Sequence, residues 1–306
     1  AIDDYEICAD TQCQVYFGLA ETDPISDSAI AATAGQVLTY NNELIDALYS
    51  STTGGVTASF TDVWNGADRP YLRPVIDSLQ TRWNLAQRPL SDEANFRAFI
   101  ALNSGFNEEG WDAFRWSRQA SLKDIGVTLK EYLSNRQHPL ANFNQITALT
   151  VTERAESGRV QKLQVDTDIG SFDLVKDEAV QAFIPPRSLL FYLEPIFETP
   201  TAAAPDAANP AIVSAANPLL PIDSNLNSKP GSLPENIENK QTPVPQPVLT
   251  GYKFVGGGFG HGVGMSQTGA YNLGKQGYSD EQILEFYYPG TQLQPISESI
   301  VFWDAD

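Results

Sequence analysis

The sequence predicts a mixed, mainly antiparallel, β-rich α+β fold, with a helical insertion at about 79–134 and a long Pro-rich loop at about 199–250, all within one domain spanning 1–306. Three observations lead there. Apolar and polar residues alternate through Arg159–Val165 and Gly170–Val175, the pattern of a sheet with one wet face. Helical spacing is confined mainly to Phe96, Phe99 and Ile100 and to Leu122, Ile125, Leu129 and Leu133 in the middle of the chain. Strand patterning resumes at Gly251–Phe254, after the Pro-rich stretch, so that stretch is an excursion within one fold.

Composition narrows the class of partner. The chain carries 38 acidic against 19 basic residues, a net charge of −19. Such a field repels nucleic acid and anionic membrane surfaces and suits a neutral or zwitterionic ligand. No run is long and apolar enough to span a bilayer. The chain opens on Ala1 with no signal-like segment, so the expectation is a precursor that has lost something upstream. Cys8 and Cys13 lie close together near the start. Such a pair can form a disulfide, supply half of a metal site or remain two buried thiols. The disulfide is preferred, because the Pro-rich stretch suggests an extracytoplasmic chain.

In chain order, Cys13–Tyr16 begins an extended element, and Ile30–Tyr40 reads as helix passing to strand or as two short strands ending in Gln36–Tyr40. Asn41-Asn42 is a turn dipeptide and Leu44–Tyr49 returns as the second arm of a hairpin. That hairpin delivers Ser50-Ser-Thr-Thr-Gly-Gly-Val-Thr57, which is either a plain loop or a set of hydroxyls and backbone donors presented to a ligand. Ser91-Asp-Glu-Ala94 opens one helix with acids in its first turn, and Ser121–Leu133 forms another. Trp111, Phe114 and Trp116 between them read as core, with sugar stacking open to an exposed one. Strands follow at Ile146–Thr152, Arg159–Val165, Gly170–Val175 and Leu189–Phe197. Residues 199–250 hold half of the chain's twenty prolines and no aromatic residue, too little apolar surface to offset the entropy of ordering.

The stretch from Gly251 to Leu293 concentrates the chemistry. Six of the nine residues from Gly256 to Gly264 are glycine, the others being Phe259, His261 and Val263. Such density permits close backbone approach, and a helix from Met265 to Leu273 would place its N-terminal amides beside His261 and Gln267. A tightly packed glycine turn gives the same pattern. It is not a phosphate loop, since the lysine and hydroxyl that would follow are missing. Ser279-Asp-Glu-Gln282 is a capping box opening a last helix, which Pro289-Gly290 stops.

These residues resemble the SpoIID/LytB family of bacterial cell-wall proteins, which includes sporulation lytic transglycosylases and enhancers of peptidoglycan amidases. Four segments carry the likeness: Cys13–Tyr16, Gly35–Tyr40 with Ala47–Thr57, Gly258–Ala270, and Ile283–Thr291. They run through the chain in the family's order. The resemblance implies a glutamate general acid upstream of the Cys13–Tyr16 run, and no residue here matches it. The expectation is therefore a chain inactive alone, and a lytic transglycosylase acting on peptidoglycan if a segment bearing that glutamate accompanies it. Some relatives hold zinc near this run. Cys8, Cys13 and His261 supply too few ligands for a tetrahedral site, so zinc ranks below the disulfide and no other cofactor is implied.

A lytic transglycosylase closes the ring with the sugar's own 6-hydroxyl, so one acid suffices to protonate the leaving oxygen. The present chain would then supply the glycan groove. Ser51, Thr52 and Thr57 offer hydroxyls, Gly54, Gly55 and Gly260 admit the glycan near the backbone, and His261, Gln267 and Tyr287 add directional hydrogen bonds. Bland alternatives stand beside these: a histidine that fixes its own turn, a glutamine that caps, a tyrosine that packs. The implied partners are peptidoglycan glycan strands, a cell-wall amidase and a cleaved N-terminal segment of the protein itself, in the periplasm or cell wall of a bacterium. The other function class is a noncatalytic glycan-binding enhancer of an amidase.

Overall fold

The structure, a computed structural model, describes residues 23–199 and 246–301. The Cys8 and Cys13 pair, with the disulfide and zinc readings attached to it, and most of the Pro-rich stretch lie outside the described residues. Within them the fold is α+β, with seven helices and mostly antiparallel strands in several small sheets.

Helix α1 (Pro24–Ala32) begins where the Asp23 carboxylate accepts the Ile25 N–H and proline takes the first turn. Strand β1 (Gln36–Tyr40) turns through Asn41 and Asn42, both at positive φ, into β2 (Glu43–Leu44), the tight turn this dipeptide favours. The second arm is shorter than its sequence suggests. After Leu44 the chain bends, held by the Leu48 N–H on the Asp46 carbonyl at 2.8 Å and the Asp46 N–H on the Tyr71 hydroxyl at 3.0 Å. Tyr49–Ser50 then forms a separate strand, β3. On the other side of β1 lies β11 (Gln292–Pro295), which brings the end of the described chain back to the first hairpin. Only Leu293 is aliphatic there, so periodicity gave no sign of a strand.

Helices α2 (Phe60–Val63) and α3 (Glu93–Ile100) follow, α3 started by the Asp92 carboxylate on the Asn95 N–H and burying Phe96, Phe99 and Ile100. Strand β4 (Trp116–Ser121) leads directly into α4 (Leu122–Asn135), whose N-cap is Ser121 and whose buried face includes Ile125, Leu129 and Leu133. The stretch read as a helical insertion thus contains a strand between its two helices. Strands β5 (Ile146–Arg154), β6 (Val160–Thr167) and β7 (Gly170–Val175) make an antiparallel meander, followed by α5 (Glu178–Gln181).

Strand β8 (Phe191–Glu198) pairs antiparallel with β9 (Val248–Gly256), which is central in a sheet ordered β4, β9, β8. Glu198 pairs with Val248, so the Pro-rich stretch leaves and returns at one end of this pair. Strand β10 (Met265–Ser266), α6 (Gln267–Lys275) and α7 (Asp280–Tyr287) complete the chain, α7 opening with the expected capping box of Ser279 and Gln282. The larger core lies under the meander and β9. A second core, with Phe96, Phe99, Phe106, Phe114 and Leu190, lies under the Thr53–Val56 loop. Among the described residues, no helix is long and apolar enough to cross a membrane.

Candidate functional site

Three backbone segments meet where the sequence motifs are brought together. Thr52 and Phe259 exchange N–H···O bonds of 3.3 and 3.0 Å, while Tyr49 and Ser50 pair parallel with Met265 and Ser266. Thr268 donates both its N–H and its hydroxyl to the Ser51 carbonyl, at 3.2 and 3.0 Å. Residues 50–52 are therefore the middle member of a three-stranded patch. At the usual strand spacing this sets Phe259 and Gln267 about 10 Å apart on either side of Ser51. Phe259, Gly260 and Gln267 are exposed, and Ser51 and His261 are half-buried. Tyr271, one turn along α6 from Gln267, is also exposed.

Beneath this strip lies a layer that the sequence did not announce. Gly54 and Gly55 take φ of 76° and 86°, a conformation open to glycine, and so turn successive N–H groups inward to form an anion-binding nest. The anion is internal. The fully buried Glu108 carboxylate accepts the N–H groups of Thr53, Gly54 and Gly55 at 2.5, 2.8 and 3.0 Å. It also accepts the hydroxyls of Thr53 at 2.9 Å and Ser266 at 2.5 Å. Asp77, equally buried, accepts from Tyr287 Oη at 2.7 Å and Asn107 Nδ2 at 2.8 Å, and its other oxygen lies 3.3 Å from Thr53 Oγ1.

Thr53 has a single hydroxyl proton, and the shorter contact assigns it to Glu108. A proton on Asp77 Oδ2 then completes the chain Asp77–Thr53–Glu108. Consistent with that count, burial and then the charge of Glu108 hold the Asp77 carboxyl well above the usual carboxylate range.

The carbonyl groups of the same loop face two buried arginines. Arg159 donates to the carbonyls of Thr53 and Val56 at 3.0 and 2.9 Å, and Arg115 to that of Gly54 at 2.8 Å. Burial lowers their pKa to about 10 and about 9, opposed in each case by nearby acids that include Glu108. The loop is thus held from below by one carboxylate on its amides and two cations on its carbonyls.

This layer separates the sequence-predicted residues into two sets. Ser51, Gly260, His261 and Gln267 reach the outer strip. Gly54, Gly55, Thr57 and Tyr287 turn inward. A side chain at Gly54 would meet the Gly257 backbone at 2.6 Å, and one at Gly55 would meet the Phe106 ring at 2.9 Å, so the close approach these glycines allow is to the protein itself. The Thr57 hydroxyl bridges the Arg73 carbonyl and the Val75 N–H at 2.9 and 2.8 Å. Tyr287 is buried on Asp77, and these surroundings raise its pKa. Thr52 is buried too, its hydroxyl without a hydrogen-bond partner among the described residues.

His261 serves its own turn. Its Nδ1 accepts the Val263 N–H at 3.0 Å and its ring lies 5.0 Å from that of Trp64. Burial lowers its pKa to about 4, against a hydrogen bond to the Tyr49 backbone that works the other way. A depressed histidine contributes stability that is present above its unfolded pKa of about 6.5 and lost as pH falls toward the folded value. The shift corresponds to about 3 kcal/mol at most. Denaturant melts at pH 7.5 and pH 5 should show that His261→Phe loses less stability, or gains more, than the wild type on going to pH 5. An unchanged pH slope in the variant would remove histidine from the account.

The missed residues, Asp77, Glu108, Arg115 and Arg159, left little signal. Each stands in an irregular or strand-like stretch, and only the fold brings them under one loop.

What the fold and strip define is a β-rich protein whose glycine-histidine loop and Ser-Thr-Gly-Gly loop form one surface backed by a buried charged layer. Parts of the chain match known proteins. A family model described as "Stage II sporulation protein" matches residues 1–40, and a domain of unknown function, DUF8618, matches residues 58–205. The "Amidase enhancer" of Bacillus subtilis (strain 168) is 25% identical over 294 residues, covering 92% of this chain and 34% of the relative. "Stage II sporulation protein D" of the same organism is 53% identical over 45 residues, covering 15% of this chain and 12% of the relative. On these matches the chain is similar to proteins of the SpoIID/LytB family. It spans about a third of the first relative and less of the second.

Proposed function

We propose that this chain binds peptidoglycan glycan strands along the strip from Phe259 through Ser51 to Gln267 and Tyr271, and that it acts in the remodelling of the bacterial cell wall outside the cytoplasm. The observation that carries the reading is the pairing of exposed rings with exposed amide and hydroxyl groups on a backbone held rigid from beneath. Apolar sugar faces stack on such rings, while their hydroxyls need donors and acceptors at fixed positions. The likeness to that family supports the cell wall as the place of action.

Between the two function classes, the geometry favours binding that enhances an amidase. The two carboxyls that meet under the strip, Asp77 and Glu108, are fully buried and bonded to protein groups, so neither is available to protonate a glycosidic oxygen. A relative named for amidase enhancement aligns with most of this chain. Lytic transglycosylase action would take its acid from elsewhere, as the family resemblance implies.

The test is sedimentation of the protein with purified, peptide-free glycan strands, with the soluble products analysed for new 1,6-anhydro ends. Binding without new ends, together with faster release by an added cell-wall amidase, is the expected result. Replacing Phe259, Gln267 and Tyr271 together by alanine should weaken binding at least tenfold; these side chains are exposed, so the fold should persist. Unchanged binding in that variant would overturn the assignment of the strip, and new anhydro ends would restore the enzyme reading.

A further inference from the structure

The residue just outside the strip on the Phe259 side is Arg187. Its backbone is pinned to the glycine-rich segment: its carbonyl accepts the Gly260 N–H at 3.1 Å, and the next side chain, Ser188, donates to the Gly257 carbonyl at 2.7 Å. Its guanidinium lies 5.8 Å from the centre of the exposed Phe259 ring. Arg97, Arg154, Lys162 and Lys253 each stand in an ion pair, and Arg115 and Arg159 donate to backbone carbonyls. Arg187 is half-buried and has no acidic partner among the described residues, in a chain with 38 acids against 19 bases.

Building on the glycan reading, we propose that Arg187 is a specificity-determining residue, which takes a carboxylate carried by the sugar stacked on Phe259. The site would then select acidic glycans, whose ring residues bear carboxyl groups, over neutral glycans of the same length. The planar guanidinium suits a carboxylate because it offers two parallel donors, and such charge-assisted bonds are the stronger kind. The field of a −19 chain opposes an anionic ligand, so a cation is needed at the point of contact itself. This refines the compositional argument, which favoured a neutral or zwitterionic ligand: the average charge and the charge at the strip's edge differ in sign.

The experiment titrates the full chain with two tetrasaccharides, one of N-acetylglucosamine alone and one in which alternate residues are N-acetylmuramic acid with a free carboxyl. The expected wild-type preference for the acidic ligand is about tenfold, the equivalent of one charge-assisted hydrogen bond, and it should shrink as salt is raised. Arg187→Ala should abolish most of that ratio, and Arg187→Lys should retain part of it. Phe259→Ala should weaken both ligands and leave the ratio standing. Equal affinity for the two ligands in the wild type, or a ratio unmoved by Arg187→Ala, overturns the role of Arg187 while leaving glycan binding intact. Binding of neither ligand overturns both readings.

Discussion

Glu108→Ala is expected to be among the most destabilising single substitutions in the chain, by about 4 kcal/mol or more, or to prevent folding altogether. The carboxylate accepts three backbone N–H groups and two hydroxyls, all buried. Removing one partner of a buried charged network costs about 3–5 kcal/mol, because the groups left behind can neither pair nor reach water. Here they include the N–H groups of Gly54 and Gly55, which the left-handed backbone turns inward. The two arginines on the opposite side of the loop also lose a nearby acid. Glu108→Gln does not rescue the site, since one acceptor oxygen becomes a donor facing donors.

Asp77→Asn provides the contrast. The Asn oxygen can accept from Tyr287 and Asn107, and its NH2 can donate to Thr53 as the protonated carboxyl does, so the cost should be below about 1.5 kcal/mol. It should also alter the pH response. An acid whose folded pKa is raised contributes stability that is fully present below its unfolded value and lost as pH rises through the folded one. Asp77→Asn therefore gains on the wild type as pH rises above the ordinary carboxylate range. Denaturant midpoints for the three variants across that range check the scheme. A tolerant Glu108→Ala would show that the nest does not need its anion.

Why the sequence revealed one layer and hid the other follows from how each is encoded. Helices α3 and α4 were legible because their apolar residues recur at helical spacing and their caps, Asp92 and Ser121, stand where a first turn needs an acceptor. The meander was legible through its period of two. Strand β3 was misread as one arm of a longer hairpin. Its partner, β10, lies more than two hundred residues away, and two-residue pairing leaves no periodic trace. The hydroxyl-rich loop reads in the sequence as either a plain loop or a set of groups presented to a ligand. Only the structure shows that its amides point inward to Glu108, because a nest filled by a ligand and a nest filled by the chain's own carboxylate look alike in sequence. Of the residues the motifs pointed to, exposed Gly260 and Gln267 and half-buried Ser51 and His261 remain on the outer strip.

Gly264→Ala is the second large effect expected, and it ties the glycine-rich motif to the strip. Gly264 has φ of 72°, so any side chain there is strained before contacts are considered. A Cβ would also fall almost on top of the Leu48 carbonyl oxygen, with the Tyr288 ring at 3.1 Å. That oxygen cannot simply move aside, since it accepts the Tyr288 hydroxyl at 2.7 Å and the Met265 N–H at 3.0 Å. Relief of the clash must break the second bond, which is the first step of the parallel pairing between Tyr49–Ser50 and Met265–Ser266. Ser266 caps α6 and donates to Glu108, so the disturbance reaches both the start of the helix that carries Gln267 and the anion in the nest. The expected cost is about 3 kcal/mol or more, combining positive-φ strain with loss of a buried hydrogen bond. Gly274→Ala, in the same helix with nothing within 4 Å of its Cβ, is the matched control and should be neutral or slightly stabilising. Thermal melts of the two variants give the comparison, and glycan sedimentation of whatever folded Gly264→Ala protein survives gives the functional reading. Equal melting points would mean that the motif's last glycine serves a ligand rather than the fold.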